Sequence, residues 1–214
     1  MLLDTRRLAR IRPYLYHLTA EQNLGPMRQL SELRCARALL ESANLGHLAA
    51  QRRTAHVALR SGADSLLIRD QKPLAAGAIA FETGWTFERF IAYVNEHVFF
   101  WPGDAAGPIK AGLNHYERYR GERLAIVRVP TVDFLPSQPA YSRFNSGAPR
   151  CSGGKHSPRG ASTYLPAHLF DGNPSQVVEV VAVHSCPLPS SSEFAAAPCG
   201  PWQPLHSADP LSRL

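Results

Sequence analysis

The run "VVEVVAV" at 177–183 sets one carboxylate, Glu179, in the middle of an almost wholly β-branched segment. An ionised carboxylate among such residues is costly unless it is paired or faces a site. Period-two alternation puts Val177, Glu179, Val181 and Val183 on one face and Val178, Val180 and Ala182 on the other, so both faces are otherwise apolar. Glu179 therefore reads either as an edge-strand residue or buried ion-pair partner, or as a carboxylate aimed into a cleft. In a cleft it would stabilise an oxocarbenium-like cation, as in glycoside cleavage, or draw a proton from a nucleophile.

Three other places carry comparable chemistry. His17, in "LYHLT", stands just ahead of an expected helix start, where anionic ligands are favoured; the bland reading is a satisfied structural histidine. Arg69 follows the aliphatic run "LLI", and a strand ending in arginine can offer a guanidinium fork to a pyrophosphate, or else pair locally with Asp70. In "VFFW", 98–101, Phe99 and Trp101 alternate with Val98 and Phe100, so one face belongs to the core and the other can serve as a stacking wall for a flat ring.

These residues need elements to hold them. Thr19 and Gln22 have capping-box spacing and predict a helix start, with a short helix through Leu30. Leu33, Ala36, Leu39, Leu40, Ala43 and Leu48 recur at helical spacing up to about Arg52, with a possible break at 44–46. "SLLIRD", 65–70, reads as a strand running into a loop. Thr86 caps a helix whose Phe87, Phe90, Ile91 and Val94 share a face, ending near His97. "VFFW" then reads as a strand stopped by Pro102-Gly103, followed by a helix over about 106–119 and the strand "LAIVRV", 124–129. Residues 136–163 are mostly loop, "VVEVVAV" is the strongest strand, and the Pro/Ser-rich stretch 188–214 predicts a disordered tail. Helices come first and short strands follow, an α+β layout in one domain over 1–187.

Composition narrows the function classes. No apolar run approaches the roughly 20 residues of a spanning helix, and the first sixteen residues lack an apolar signal core, so a cytoplasmic protein without membrane contact is expected. Cys35, Cys151, Cys186 and Cys199 lie far apart with no C-x-x-C pair, which predicts ordinary thiols and no metal. Residues 1–60 hold ten arginines against four acids, whereas 61–214 hold thirteen of each sign, so the whole net charge of +6 sits in the first part. Such an excess meets a phosphate backbone or merely solubilises helix faces.

In order, "YHLT", an aromatic strand and the glutamate of "VVEV" resemble the His, aromatic, Glu order of the ADP-ribosyltransferase superfamily. The opening "LYHLTAEQNL" is similar to that of the DarT type of toxin, which ADP-ribosylates single-stranded DNA. "YHLT", "LLIRDQKPL", "NEHVFFW", "FNSG", "RGAST" and "VVEV" together look closer to an uncharacterised bacterial family related to DarT, over about residues 13–187. The resemblance implies a split β-sheet core with N-terminal helices and NAD as co-substrate. It implies Glu179 and Arg69 as catalytic residues, with Tyr16, His17, Thr19, Phe100, Asn145 and Arg159 contacting NAD. It also implies nucleic acid as acceptor and an antitoxin or hydrolase as partner. The middle strand and "IRDQKPL" depart from the DarT pattern, and the acceptor-binding loop differs from it in length and content, so a DNA acceptor does not carry over automatically. An NAD glycohydrolase, or a non-catalytic module binding nucleotide or nucleic acid, are the competing expectations.

Overall fold

The computed structural model describes residues 5–61, 64–134, 139–143 and 158–206. Its helices are α1 (Thr5–Ile11), α2 (Leu24–Leu30), α3 (Ala36–Ser42), α4 (Phe87–Asn95) and α5 (Lys110–Tyr119). The strands are β1 (Tyr14–Ala20), β2 (Glu32–Arg34), β3 (Val57–Ser61), β4 (Asp64–Ile68), β5 (His97–Asp104), β6 (Gly107–Pro108) and β7 (Leu124–Pro130). They continue with β8 (Ala140–Ser142), β9 (Leu165–Pro166), β10 (Glu179–Val183), β11 (Ser185–Pro187), β12 (Glu193–Ala195) and β13 (Gln203–Pro204). The fold is α+β, with antiparallel pairing in every strand ladder.

One large sheet runs in the order β13-β12-β7-β1-β5-β10-β8-β9, with β6 beside β5; β2–β11 and β3–β4 form separate hairpin-like pairs. On one face Leu15, Phe100, Val127, Val129, Val180 and Ala182 join Leu8 of α1, Leu24 of α2, Phe134 and Phe170 in the main core. On the other, Tyr16, Leu18, Trp101 and Ile126 pack with Tyr119 of α5. Burying each of the larger side chains stabilises the sheet by about 1.5–3 kcal/mol.

The strand β1 pairs with β7 along its whole length, from Tyr14↔Pro130 to Ala20↔Leu124, but with β5 only from Tyr14↔Gly103 to Tyr16↔Trp101. From Phe100 back to His97, β5 follows β10 instead. The sheet therefore splits after Tyr16, and the split opens beside His17.

Four expectations are corrected. Thr19 does not cap a helix: the ladder to β7 keeps it extended inside β1, and the turn Glu21–Asn23 begins after Ala20 with no side-chain cap. Pro102-Gly103 does not stop "VFFW", because Pro102 and Gly103 still pair with β1 and β6 prolongs the ladder. For the same reason α5 starts at Lys110, after the β6 turn. Residues 188–206 are ordered: β12 adds to β7, Leu188, Ser192, Ala195 and Leu205 are buried, and Glu193 pairs with Arg128. Composition alone hid this, because few apolar anchors suffice when a ready sheet edge supplies the backbone partners.

Of the arginine excess in residues 1–60, Arg34 pairs with Glu32, Arg37 with Glu41 and Glu96, and Arg53 is buried. Arg6, Arg10 and Arg60 remain exposed. Among the described residues no helix is long and apolar enough to cross a membrane, and no cluster of side chains is arranged for a metal ion. Cys35, Cys186 and Cys199 are free thiols; Cys151 lies outside the described residues.

Candidate functional site

A cleft of about 230 Å³ opens at the split, lined among others by His17, Thr19, Arg69, Asn95, Phe99, Trp101, His115 and Glu179. His17 is held across the split itself: its Nδ1–H donates to the carbonyl of Phe99 at 2.8 Å, and its ring lies 5.7 Å from that of Phe100. That bond leaves Nε2 as the acceptor of a neutral ring. Burial first, then the charge of Arg69, bring the pKa down to about 4, with the Phe99 bond opposing them. The ring is thus fixed by β5 and not by a capped helix.

Glu179 opens β10, its backbone pairs with Ser142 of β8, and the residue is only 2% exposed although it lines the cleft. Arg159, fully buried behind it, is lowered in pKa by burial, an effect opposed by Tyr164 and Glu179. The Arg159 backbone is itself locked to the 80–82 segment, donating to Ala80 O at 2.8 Å and accepting from Glu82 N at 3.0 Å. Glu179 therefore sits in a rigid corner with a guanidinium as electrostatic neighbour.

The segment after β4 is positioned by a buried polar network. Arg53 donates to the carbonyl of Arg69 at 3.1 Å and to Asn95 Oδ1 at 2.9 Å; Gln71 also donates to Asn95 Oδ1, at 3.1 Å. Asn95 in turn donates to Ala49 O at 2.7 Å. Asp70 also lines the cleft but is bonded to other partners: Tyr119 Oη donates to it at 2.8 Å and Lys72 Nζ lies at 3.3 Å. Burial works to raise the Asp70 pKa, but bonds from Tyr119 and Lys72 outweigh it and leave it lowered. Arg69 accordingly forms no pair with Asp70. It stacks 3.9 Å over the Tyr119 ring and donates to His115 Nε2 at 3.1 Å.

His17, Thr19, Arg69 and Glu179 thus share the cleft, although Thr19 Oγ1 is occupied, accepting from Asn23 at 2.9 Å. Three expected contacts are not among the lining residues, one of them Arg159, buried beside Glu179. Tyr16 is fully buried on the α5 side against Trp202, its hydroxyl bonded to Asp104 O, and burial raises its pKa to about 12. Phe100 is core, 5.0 Å from Phe134, and supports His17 from behind. The aromatic wall is instead Phe99 and Trp101, with His97 and His115. Asn145 lies outside the described residues.

His115, Asn95 and Arg53 were not singled out from sequence, and Trp101 was read only as a member of one face of "VFFW". "VFFW" held the signal for Trp101, since alternation groups it with Phe99, but which face meets the cleft depends on pairing with β10. His115 sits in the polar helix "KAGLNHYERY" with no local mark of its role.

A model described as a family of unknown function (DUF7002) matches residues 13–191, a span that includes every described cleft residue. No curated protein and no solved structure matches the chain.

Proposed function

The chain belongs to the DUF7002 family, and we propose that it is an NAD-dependent ADP-ribosyltransferase acting on nucleic acid. The observation that supports this most is that His17 and Glu179, from two strands separated by the split, line one cleft together with Arg69. The resemblance of "YHLT" and "VVEV" to the superfamily expects these two residues in one NAD site.

The cleft suits the chemistry. Glu179 carries negative charge where the bond between nicotinamide and ribose C1′ breaks, with the electron pair leaving on nicotinamide; a fixed carboxylate stabilises the ribosyl cation that forms. The acceptor then bonds to C1′ and yields its proton, for which Glu179 is the acceptor at hand. Neutral His17 offers Nε2 as hydrogen-bond acceptor to a ribose hydroxyl, and Phe99 offers a face to the nicotinamide ring. At about 230 Å³ the cleft takes part of a dinucleotide, so the rest extends past its mouth. Arg159 holds Glu179 in place and does not touch the ligand. A toxin role with an antitoxin or hydrolase partner, in the cytoplasm, follows from the DarT resemblance alone.

The test is incubation of the purified protein with labelled NAD⁺ and, separately, single-stranded DNA, RNA and protein, with Glu179→Gln alongside. Label on nucleic acid, with a loss of at least about 100-fold in the variant, is the expected outcome. Label on protein alone corrects the acceptor. Consumption of NAD⁺ without labelling makes water the acceptor, and intact NAD⁺ in every mixture overturns the enzyme reading.

A further inference from the structure

Three buried N–H donors on residues lining the cleft have no acceptor within the protein: Nε and Nη1 of Arg69, and Nε1 of Trp101. A buried donor without an acceptor costs free energy until one meets it, and native interiors rarely leave such groups together. Here they are joined through one side chain. The His115 ring stacks 4.7 Å from the Trp101 ring, and its Nε2 takes the remaining Arg69 nitrogen, Nη2, at 3.1 Å.

The surroundings favour an anion. Among the described residues no ion pair involves Arg69; of the adjacent Asp70 carboxylate, which also lines the cleft, one oxygen accepts from Tyr119 and the other lies 3.3 Å from Lys72 Nζ, while His56 Nδ1 accepts from the Asp70 backbone N–H. Tyr119 supports the guanidinium at 3.9 Å, and the carboxylates of Asp70 and Glu122 act on it only from beyond ion-pair distance. The same cleft carries Glu179, which repels an anion from its own end. A carboxylate ligand is planar and presents two oxygens in one plane. The free donors belong to two separate planar groups on either side of His115, an arrangement that matches the several directions of a tetrahedral phosphoryl group better.

We infer that Arg69 and Trp101 form a phosphoryl-binding subsite held together by His115, and that its ligand is the pyrophosphate of a nucleotide. The identity of that ligand rests on the NAD⁺ reading; the subsite itself does not. Arg69 and Trp101 touch the phosphoryl oxygens, and His115 positions them.

The three tryptophans of the chain give three indole N–H resonances, and Trp101→Phe identifies one of them while keeping a ring against His115. Inorganic pyrophosphate, ADP-ribose, adenosine and a single-stranded oligonucleotide are titrated into the full-length protein. The expected result is a downfield shift of the Trp101 indole proton with pyrophosphate and ADP-ribose and none with adenosine. Trp101→Phe should weaken ADP-ribose binding about five- to tenfold and Arg69→Lys by at least about tenfold. ADP-ribose that binds without moving Trp101 or needing Arg69 overturns the subsite and leaves the NAD⁺ reading standing. Pyrophosphate that moves Trp101 while ADP-ribose fails to bind supports the subsite and removes the NAD⁺ reading. A shift with the oligonucleotide and not with ADP-ribose overturns the ligand assignment, and no shift with any probe overturns the whole inference.

Discussion

The two edges of β1 behave differently. Towards β7 the strand is zipped over all seven residues, whereas towards β5 the ladder ends after three, at Tyr16↔Trp101. The zipped edge is flanked by Leu15, Val127 and Val129, nearly or wholly buried and apolar. The open edge begins with His17, and the space beside it collects Arg69, His115, Asn95, Arg53 and Glu179. One edge contributes stability through packing, and the other spends part of it on buried polar groups. The difference teaches where chemistry fits in a sheet: at the point where backbone pairing stops and side chains take over the bonding, as His17 does by reaching the carbonyl of Phe99.

The comparison breaks or holds most sharply on Leu15→Ala. Leu15 is fully buried in the main core, so truncation should cost about 2–5 kcal/mol in urea unfolding. Trp101→Phe, at the last paired position before the split, keeps most of the packed ring and should cost less than about 1.5 kcal/mol. If the two costs were equal, the open edge would be packed as firmly as the zipped one.

A pH titration of stability separates the edges next. Buried His17 and His115 have pKa values near 4 and 3, chiefly through desolvation, against 6.5 for an ordinary histidine. Below pH 6.5 the unfolded chain therefore binds more protons than the folded one, and stability falls as pH falls; above 6.5 both rings are neutral in both states and contribute no slope. The slope from each approaches about 1.4 kcal/mol per pH unit between 6.5 and the folded pKa. Unfolding midpoints at pH 7, 6 and 5 should show the fall, and His115→Gln should flatten it. An unchanged slope in that variant would mean that His115 is not held neutral by the cleft.

Much of this architecture was legible in the sequence. β-branched "VVEVVAV" and "LAIVRV" form central strands, and Thr86 caps α4, its Oγ1 accepting from Arg89 N at 3.2 Å. Glu179 stood out because a charge in an apolar strand needs a reason, and it lies buried at the cleft. The aromatic assignment failed at Phe100, since alternation separates two faces without saying which one the split exposes. Tyr16 failed likewise, being one residue from His17 and so on the opposite side of the strand. The network of Arg53, Gln71 and Asn95 was invisible, because its members come from three segments whose proximity exists only after folding.

Gly103→Ala tests the short stretch where β1 and β5 do remain paired. A Cβ there would lie 2.7 Å from Pro108 Cα and 2.8 Å from Tyr16 Cε2, and it also meets the carbonyl of Gly107. The backbone of Gly107–Pro108 cannot step aside and the Tyr16 ring is fully buried, so a loss of about 1–3 kcal/mol is expected in thermal or urea unfolding. A neutral result would show that the three-residue ladder yields easily and that the split can travel further down β1.

The smallest effect is the most local. Thr86→Ala removes the cap of α4, worth about 1 kcal/mol. That helix ends in Asn95, which holds Arg53 and Gln71 and through Arg53 the carbonyl of Arg69. Loss of the cap should therefore speed amide hydrogen exchange in α4 and in the Arg69–Gln71 segment together. The β1–β7 amides, whose partners lie entirely on the zipped edge, should keep protection to the level of global unfolding. If β1 and β7 loosened along with α4, the two edges would be one cooperative unit, and the cleft could not open without melting the sheet that carries it.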